Sequence, residues 1–107
     1  MKLDLNALEN KFLTLTLLDK SELNLKRPNE DLYNKMIAIE DYIKQTGITF
    51  DEIKESLKDL VFQIMNRNKE NKTFEKESFL VEYDYFTCLA IYKTYSQFTR
   101  EVMSNPN

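Results

Sequence analysis

The chain of 107 residues contains no histidine, one glycine, one cysteine and two prolines. Because histidine is the commonest general base and metal ligand, its absence argues against acid–base catalysis and against most transition-metal sites. The single glycine, Gly47, cannot supply a glycine-rich phosphate loop. The single cysteine, Cys88, has no partner for an intramolecular disulfide and no histidine to activate it, so we predict a buried structural thiol. These absences predict a protein that is not an enzyme and that binds no cofactor, metal ion or small-molecule substrate.

Signals for export and for membrane insertion are also missing. The first 18 residues carry four charged side chains and no continuous apolar run, unlike a signal peptide. No stretch approaches the roughly 20 apolar residues that a membrane span needs. We therefore expect a cytoplasmic protein that is neither secreted nor inserted in a membrane.

The composition is that of a chain that folds. Hydrophobic residues make up 42% of the chain and charged residues 31%, which places it outside the disordered class. A chain of this length forms one domain, residues 1–107, and buries roughly 65% of the surface that its unfolded form exposes. The net charge is −3, without a basic stripe, which argues against nucleic-acid binding.

Alternating leucines near the start of the chain predict a β-hairpin region over residues 1–27. Period-two alternation places one set of side chains on one face of a strand, and we predict Lys11–Leu18 paired with Glu22–Lys26. Leu3–Leu5 is expected to add a third strand. A helical stripe through Leu5, Leu8, Phe12 and Leu15 is the alternative for this segment.

Residues 28–103 form a predicted helical region. Asn29 is expected to cap a first helix, whose apolar stripe is Leu32, Met36, Ile39, Tyr42 and Ile43. Gly47 follows as a left-handed residue, and Thr49 with Glu52 forms a capping box for a second helix from Phe50. The buried stripe of that helix is predicted to be Phe50, Ile53, Leu57, Leu60, Val61 and Ile64. An exposed loop over residues 66–72 and a short helix capped by Thr73, ending near Val81, should follow.

The last helix is predicted from Tyr85 to Met103, with Asp84 as its N-cap and a polar tail at residues 104–107. Its apolar side chains cover nearly half of the helix circumference, which is wider than the roughly 100° stripe of a one-sided surface helix. Because aromatic side chains offer large contact areas, we predict that this face binds another protein. The candidate residues are Tyr85, Phe86, Leu89, Tyr92, Tyr95 and Phe98.

Four apolar residues lie away from the predicted stripes: Tyr33, Ile37, Phe62 and Phe86. They either fill gaps against the hairpin or the short helix, or they form a second apolar surface for a partner or for self-association.

The order of these segments resembles a known family. The chain opens with Met1–Leu5 ahead of the strand Phe12–Leu17, and the second strand, ending in Leu23–Pro28, is followed at once by the helix that starts at Asn29–Leu32. An aromatic-rich final helix then leads to Ser104–Asn107. In this order, in length and in charge balance, almost the whole chain resembles a tail assembly chaperone of long-tailed bacteriophages, in the form common in phages of low-GC Gram-positive hosts.

The resemblance implies a specific role. Such chaperones bind the long, aggregation-prone tape measure protein in the host cytoplasm before the tail tube polymerises around it, and they are absent from the finished virion. Many are also made in a longer, frameshifted form whose added domain is thought to recruit tail tube subunits. The family has no motif that fixes its binding residues, so the candidates above come from the helix alone.

Two other classes remain open at this stage. A small intracellular inhibitor or immunity protein, which docks on one folded target, would have the same size and charge. A DNA-binding regulator would use the basic loop that contains Arg67, Lys69 and Lys72, but that loop is longer than the turn of a helix-turn-helix.

Overall fold

A computed structural model describes residues 1–105 as an α+β fold, in which a two-stranded antiparallel sheet precedes four helices. The fold class predicted from the sequence is confirmed. In chain order the elements are α1 (Leu5–Glu9), β1 (Phe12–Thr16), β2 (Glu22–Lys26), α2 (Glu30–Ile43), α3 (Phe50–Met65), α4 (Lys76–Glu82) and α5 (Tyr85–Ser104).

The hairpin forms as the alternating leucines predict, although β1 is shorter than the predicted Lys11–Leu18. Leu15 lies opposite Leu23 in the register, and these leucines face the core. The turn is closed by Asp19, whose carboxylate accepts hydrogen bonds from the backbone N–H and the hydroxyl of Ser21. Local side chain–backbone bonds of this kind favour a turn over a continued strand.

The predicted third strand at Leu3–Leu5 is wrong. The side chain of Asp4 accepts a hydrogen bond from the backbone N–H of Asn6 at 3.0 Å and caps the one-turn helix α1. An N-cap of this kind satisfies backbone donors that would otherwise need a strand partner. The alternative helical interpretation is also limited to α1, because Phe12 and Leu15 lie in β1.

Three helices begin where the sequence predicts. Asn29, Thr49 and Asp84 each accept a hydrogen bond from a backbone N–H of the following turn. The carboxylate of Glu52 accepts a hydrogen bond from the backbone N–H of Thr49, and the hydroxyl of Thr49 accepts one from the backbone N–H of Glu52. Both bonds of the predicted capping box are therefore present. Gly47 adopts a φ of +85° between α2 and α3, a conformation that glycine reaches without the penalty of a Cβ atom.

The helix α3 lies at the centre and packs against α2, α4 and α5. Its buried residues join those of the hairpin and the other helices in one cluster. Two residues of the predicted stripes are exposed instead: Ile43 at 43% and Phe50 at 57%. Both are terminal residues of their helices, where neighbouring elements leave much of the side chain uncovered. The α3 residues in the core are Leu57, Leu60, Val61, Ile64 and Met65.

The loop after α3, residues 66–72, is exposed as predicted only over residues 69–72, because Asn68 is buried and residues 66 and 67 are half-buried. Its backbone runs along the second edge of β2: Lys26 N–H donates to the carbonyl of Arg67, and Lys69 N–H donates to the carbonyl of Asn24, both at 2.9 Å. Buried backbone groups need partners, and the loop supplies them to β2.

Asn68 holds this loop in place and is only 2% exposed. Its amide nitrogen donates to the carbonyls of Met65 and Lys72, at 2.8 and 2.7 Å, and its oxygen accepts from the backbone N–H of Lys72 at 2.7 Å. A buried polar side chain is stable when its donors and acceptors are satisfied in this way.

The cap of α4 and the end of α5 differ from the sequence predictions. Glu75, not Thr73, caps α4, with its carboxylate accepting from Ser78 N–H at 2.9 Å. Residues 73–75 stay outside the helix because Phe74 N–H is bonded to the side chain of Asn66 at 2.7 Å. The predicted polar tail starts one residue too early, since α5 includes Ser104, and the rest of that tail from residue 106 lies outside the described residues.

Asn68→Ala should destabilise the protein by about 2 kcal/mol, because three backbone groups lose a buried partner. Urea unfolding followed by circular dichroism measures this loss. Asn34→Ala, on the exposed face of α2, is the matched control and should change the free energy of unfolding by less than about 0.5 kcal/mol. Equal effects of the two substitutions would contradict the role given to Asn68.

The hydrogen bonds of Glu70 predict how the free energy of unfolding changes at acidic pH. Its carboxylate accepts from the side-chain amide and the backbone N–H of Asn24, and these bonds lower the pKa of Glu70 from its ordinary value of 4.5. A lowered pKa in the folded state contributes stability above pH 4.5 that is lost as the pH falls through the folded-state value. In Glu70→Gln, the free energy of unfolding should therefore fall less steeply with decreasing pH below 4.5 than in the wild type. Urea titrations over a pH series test this, and an unchanged slope would show that the bonds to Asn24 do not form.

Candidate functional site

The six residues predicted to bind a partner do not share one environment. Tyr92 and Tyr95 are buried, at 8% and 0% exposure, whereas Phe86 is 74% exposed. The other three are half-buried and pack against the core: Tyr85, Leu89 and Phe98.

Tyr95 joins α5 to the hairpin. Its hydroxyl donates to the backbone carbonyl of Lys26, the last residue of β2, at 2.7 Å. Burial raises the pKa of Tyr95, so the hydroxyl keeps its proton and remains a donor. This residue stabilises the fold and presents no surface to a partner in the folded protein.

Tyr92 joins α5 to α2. Its hydroxyl donates to the carboxylate of Glu40 at 2.9 Å and lies 3.4 Å from the carbonyl of Met36. Burial, and then the hydrogen bond to Glu40, raise the pKa of Tyr92. Together with Tyr95, this side chain fixes the position of α5 against the rest of the core.

An exposed aromatic cluster lies where α3 and α5 begin. Phe50 and Tyr85 are the first residues of these two helices, and their ring centroids are 5.1 Å apart in an edge-on arrangement. Phe86 packs edge-on against Tyr85 at 5.5 Å. We refer to Phe50, Tyr85 and Phe86 as the aromatic patch. Two of its three rings are more than half exposed.

The caps of two helices position this patch. Thr49 precedes Phe50 and Asp84 precedes Tyr85, so the two N-caps determine where each ring leaves the backbone. The carboxylate of Asp84 accepts from Thr87 N–H at 2.8 Å, and this bond lowers the pKa of Asp84. Asp84 thus remains ionised at neutral pH beside the exposed rings.

The rim of the aromatic patch is acidic. Asp51 follows Phe50 directly, and Glu82 and Asp84 precede Tyr85 and Phe86 in the chain; all three acidic residues are exposed. Asp51 and Asp84 lie at the N-termini of α3 and α5, where carboxylates meet unpaired N–H groups and the positive end of the helix dipole, whereas Glu82 is the last residue of α4. The patch therefore offers apolar contact area next to negative charge.

A second apolar surface lies between α2 and α5. Tyr33 and Ile37 of α2 are 40% and 44% exposed, and Met103 of α5 is 72% exposed. A cleft of about 190 Å³ between Tyr33 and Met103 has Pro28 and Val102 in its wall. We refer to this feature as the α2–α5 cleft.

The four apolar residues away from the predicted stripes separate into two groups. Phe62 packs against the core, with its ring centroid 5.6 Å from that of Phe79, so it fills a gap next to the short helix α4. Tyr33, Ile37 and Phe86 are exposed. Phe50 is an exposed residue that sequence reasoning placed in the core, and its position as the first residue after the N-cap Thr49 was the available signal.

Cys88 is fully buried, as predicted. Its sulfur lies 3.7 Å from the carbonyl of Tyr83, and burial raises the pKa of Cys88 to about 11, which keeps the thiol protonated at neutral pH. Within residues 1–105, no three side chains of the metal-ligating types lie together. No helix in the same part of the chain is long and apolar enough to cross a membrane.

Tyr95→Ser should lower the free energy of unfolding by about 4 kcal/mol, because it removes a buried ring and the bond to Lys26. Phe86→Ser should change it by less than about 0.5 kcal/mol, since the ring is mostly in solvent. The free energies of unfolding of both variants, measured in urea, distinguish the core position of Tyr95 from the surface position of Phe86 on the same helix. Similar losses in the two variants would contradict this division of α5.

Comparisons of the chain with models of protein families, with curated proteins and with solved structures give no match.

Proposed function

We propose that this protein is a bacteriophage tail assembly chaperone. In this proposal it binds the tape measure protein in the host cytoplasm and helps to recruit tail tube subunits, without catalysing a reaction. The order of hairpin, helices and aromatic final helix, which resembles this family over almost the whole chain, supports the proposal.

The observation that carries the proposal is the aromatic patch. Phe50 and Phe86 are 57% and 74% exposed. Clustered exposed aromatic side chains mark protein-binding surfaces, because a partner can cover a large apolar area without ordering many rotamers. A tape measure protein has long helical segments with apolar faces that a chaperone must cover.

The acidic rim narrows the kind of segment that the patch would bind. Asp51, Glu82 and Asp84 would favour an amphipathic helix that carries Lys or Arg beside its apolar face. Complementary charge at the rim of an interface raises the association rate and selects the orientation of the bound segment.

The first experiment is a pulldown with this protein as bait during phage production, read by mass spectrometry. Recovery of a very long, helix-rich tape measure protein supports the proposal. Recovery of a single folded enzyme in its place would indicate the inhibitor or immunity class and would overturn the tail-assembly role.

Phe86→Ser should weaken binding to the co-expressed tape measure protein by on the order of tenfold or more, because it removes the most exposed ring of the patch. Met103→Ser is the matched control: it lies on the same helix, is 72% exposed, and is about 25 Å away along the axis. Co-purification yield and a binding titration by light scattering measure the effect. Loss of binding in Met103→Ser with retention in Phe86→Ser would move the binding surface to the α2–α5 cleft.

A further inference from the structure

The two edges of the sheet differ in their backbone hydrogen bonding. The second edge of β2 is closed by the loop after α3, through the backbone bonds of Asn24 and Lys26 described above. The sheet has two strands, and no backbone group among residues 1–105 hydrogen-bonds to the outer edge of β1. Thr14 and Thr16 on this strand are exposed, and α1, which precedes it, buries none of its own residues.

The direction of the free backbone groups on β1 follows from the ladder. In an antiparallel pair, opposed residues alternate between those that exchange N–H···O bonds and those whose backbone groups point away from each other. Asn24 directs its N–H and C=O groups toward the loop, and Lys26 directs its N–H there. Their partners Thr14 and Phe12 therefore direct their backbone groups to the outer edge. By the same alternation, Thr16 also points outward. The backbone groups of Phe12, Thr14 and Thr16 on this edge therefore have no hydrogen-bond partner among residues 1–105.

We infer that this edge pairs with the same edge of a second copy, so that two hairpins form a continuous four-stranded antiparallel sheet across a two-fold axis at Thr14. In this register Thr14 meets Thr14 of the second copy and Phe12 meets Thr16, so every hydrogen-bonded pair joins two outward-facing residues. The three pairs supply about six backbone hydrogen bonds. All five residues of β1 take part, which no shifted register allows.

Side chains and charge favour a second copy as the occupant. Leu13 and Leu15 of β1 pack against the core, and in this register they lie beside Leu15 and Leu13 of the second copy on the same face. The strand Phe12–Thr16 has no charged side chain, so self-pairing brings no like charges together. It also lacks the lysine, proline or bulge with which edge strands are usually protected from pairing.

The size of the edge determines the strength of the dimer. Five residues per copy bury much less surface than the roughly 1,200 Å² at the lower end of stable protein–protein interfaces. The dimer is therefore weak and depends on concentration. This inference does not depend on the proposed chaperone role, because it concerns the outer edge of β1 and not the aromatic patch, and it needs no other protein.

Charged substitutions of Thr14, the residue at the two-fold axis, test the inference when the association state is measured by sedimentation velocity. The wild type should shift from monomer to dimer as its concentration rises toward about 1 mM. Thr14→Lys alone and Thr14→Glu alone should each remain monomeric over the same range, because identical charges then face each other. An equimolar mixture of the two variants should dimerise at least about tenfold more tightly than either alone.

Leu18→Lys is the matched control, since Leu18 lies in the turn, is 70% exposed and stands outside the paired residues. It should dimerise like the wild type. A wild type that stays monomeric up to about 1 mM would overturn the inference. So would a dimer that Thr14→Lys and Leu18→Lys leave equally intact.

Amide exchange of the wild type gives a readout that needs no variant. The N–H groups of Phe12, Thr14 and Thr16 should exchange rapidly in dilute solution and become protected as the concentration rises, while that of Leu17, already bonded to Ser21, should not change. Exchange at all four positions that does not vary with concentration would also overturn the inference.

Discussion

The packing of the whole domain depends on β2 having partners along both edges. One edge pairs with β1, and the other is closed by a loop whose shape depends on the buried side chain of Asn68. At the end of the same strand, the carbonyl of Lys26 accepts the hydroxyl of Tyr95, so the hairpin, the loop and α5 meet at one point. A two-stranded hairpin alone is only marginally stable in water, which explains why it needs this support.

This arrangement also explains where the apolar surface remains. Tyr92 and Tyr95 hold α5 against α2 and the hairpin through its middle, and Cys88 and Val102 keep one face of the helix buried near its two ends. Phe86 projects at one end and Met103 at the other. The aromatic patch and the α2–α5 cleft are thus separate surfaces at opposite ends of one helix, and each can be altered without removing a core residue.

Features that depend on local sequence were predicted well from the sequence, and features that depend on distant contacts were not. The caps at Asn29, Thr49 and Asp84 act on backbone groups two or three residues away, so the sequence alone indicates them. The burial of Asn68 depends on a strand more than 40 residues earlier, which no local pattern reveals. Likewise, Thr73 is a good capping residue, but the bond between Phe74 and Asn66 moves the start of the helix.

The candidate site was also only partly predictable from the sequence, but for a different reason. A helix has a wide apolar arc when another protein covers part of it, and also when other elements of its own chain pack on two of its sides. The hydrophobic periodicity of the sequence is identical in the two cases. For α5, the helix α3 together with the hairpin and α2 accounts for the buried part of the arc, including Tyr92 and Tyr95. What the core leaves uncovered is Phe86, which lies off the main arc, together with Phe50 of another helix. Of the four apolar residues outside the predicted stripes, Tyr33, Ile37 and Phe86 are exposed and Phe62 packs against the core. A position outside the stripe therefore indicates an exposed apolar side chain in this fold better than the breadth of the stripe does.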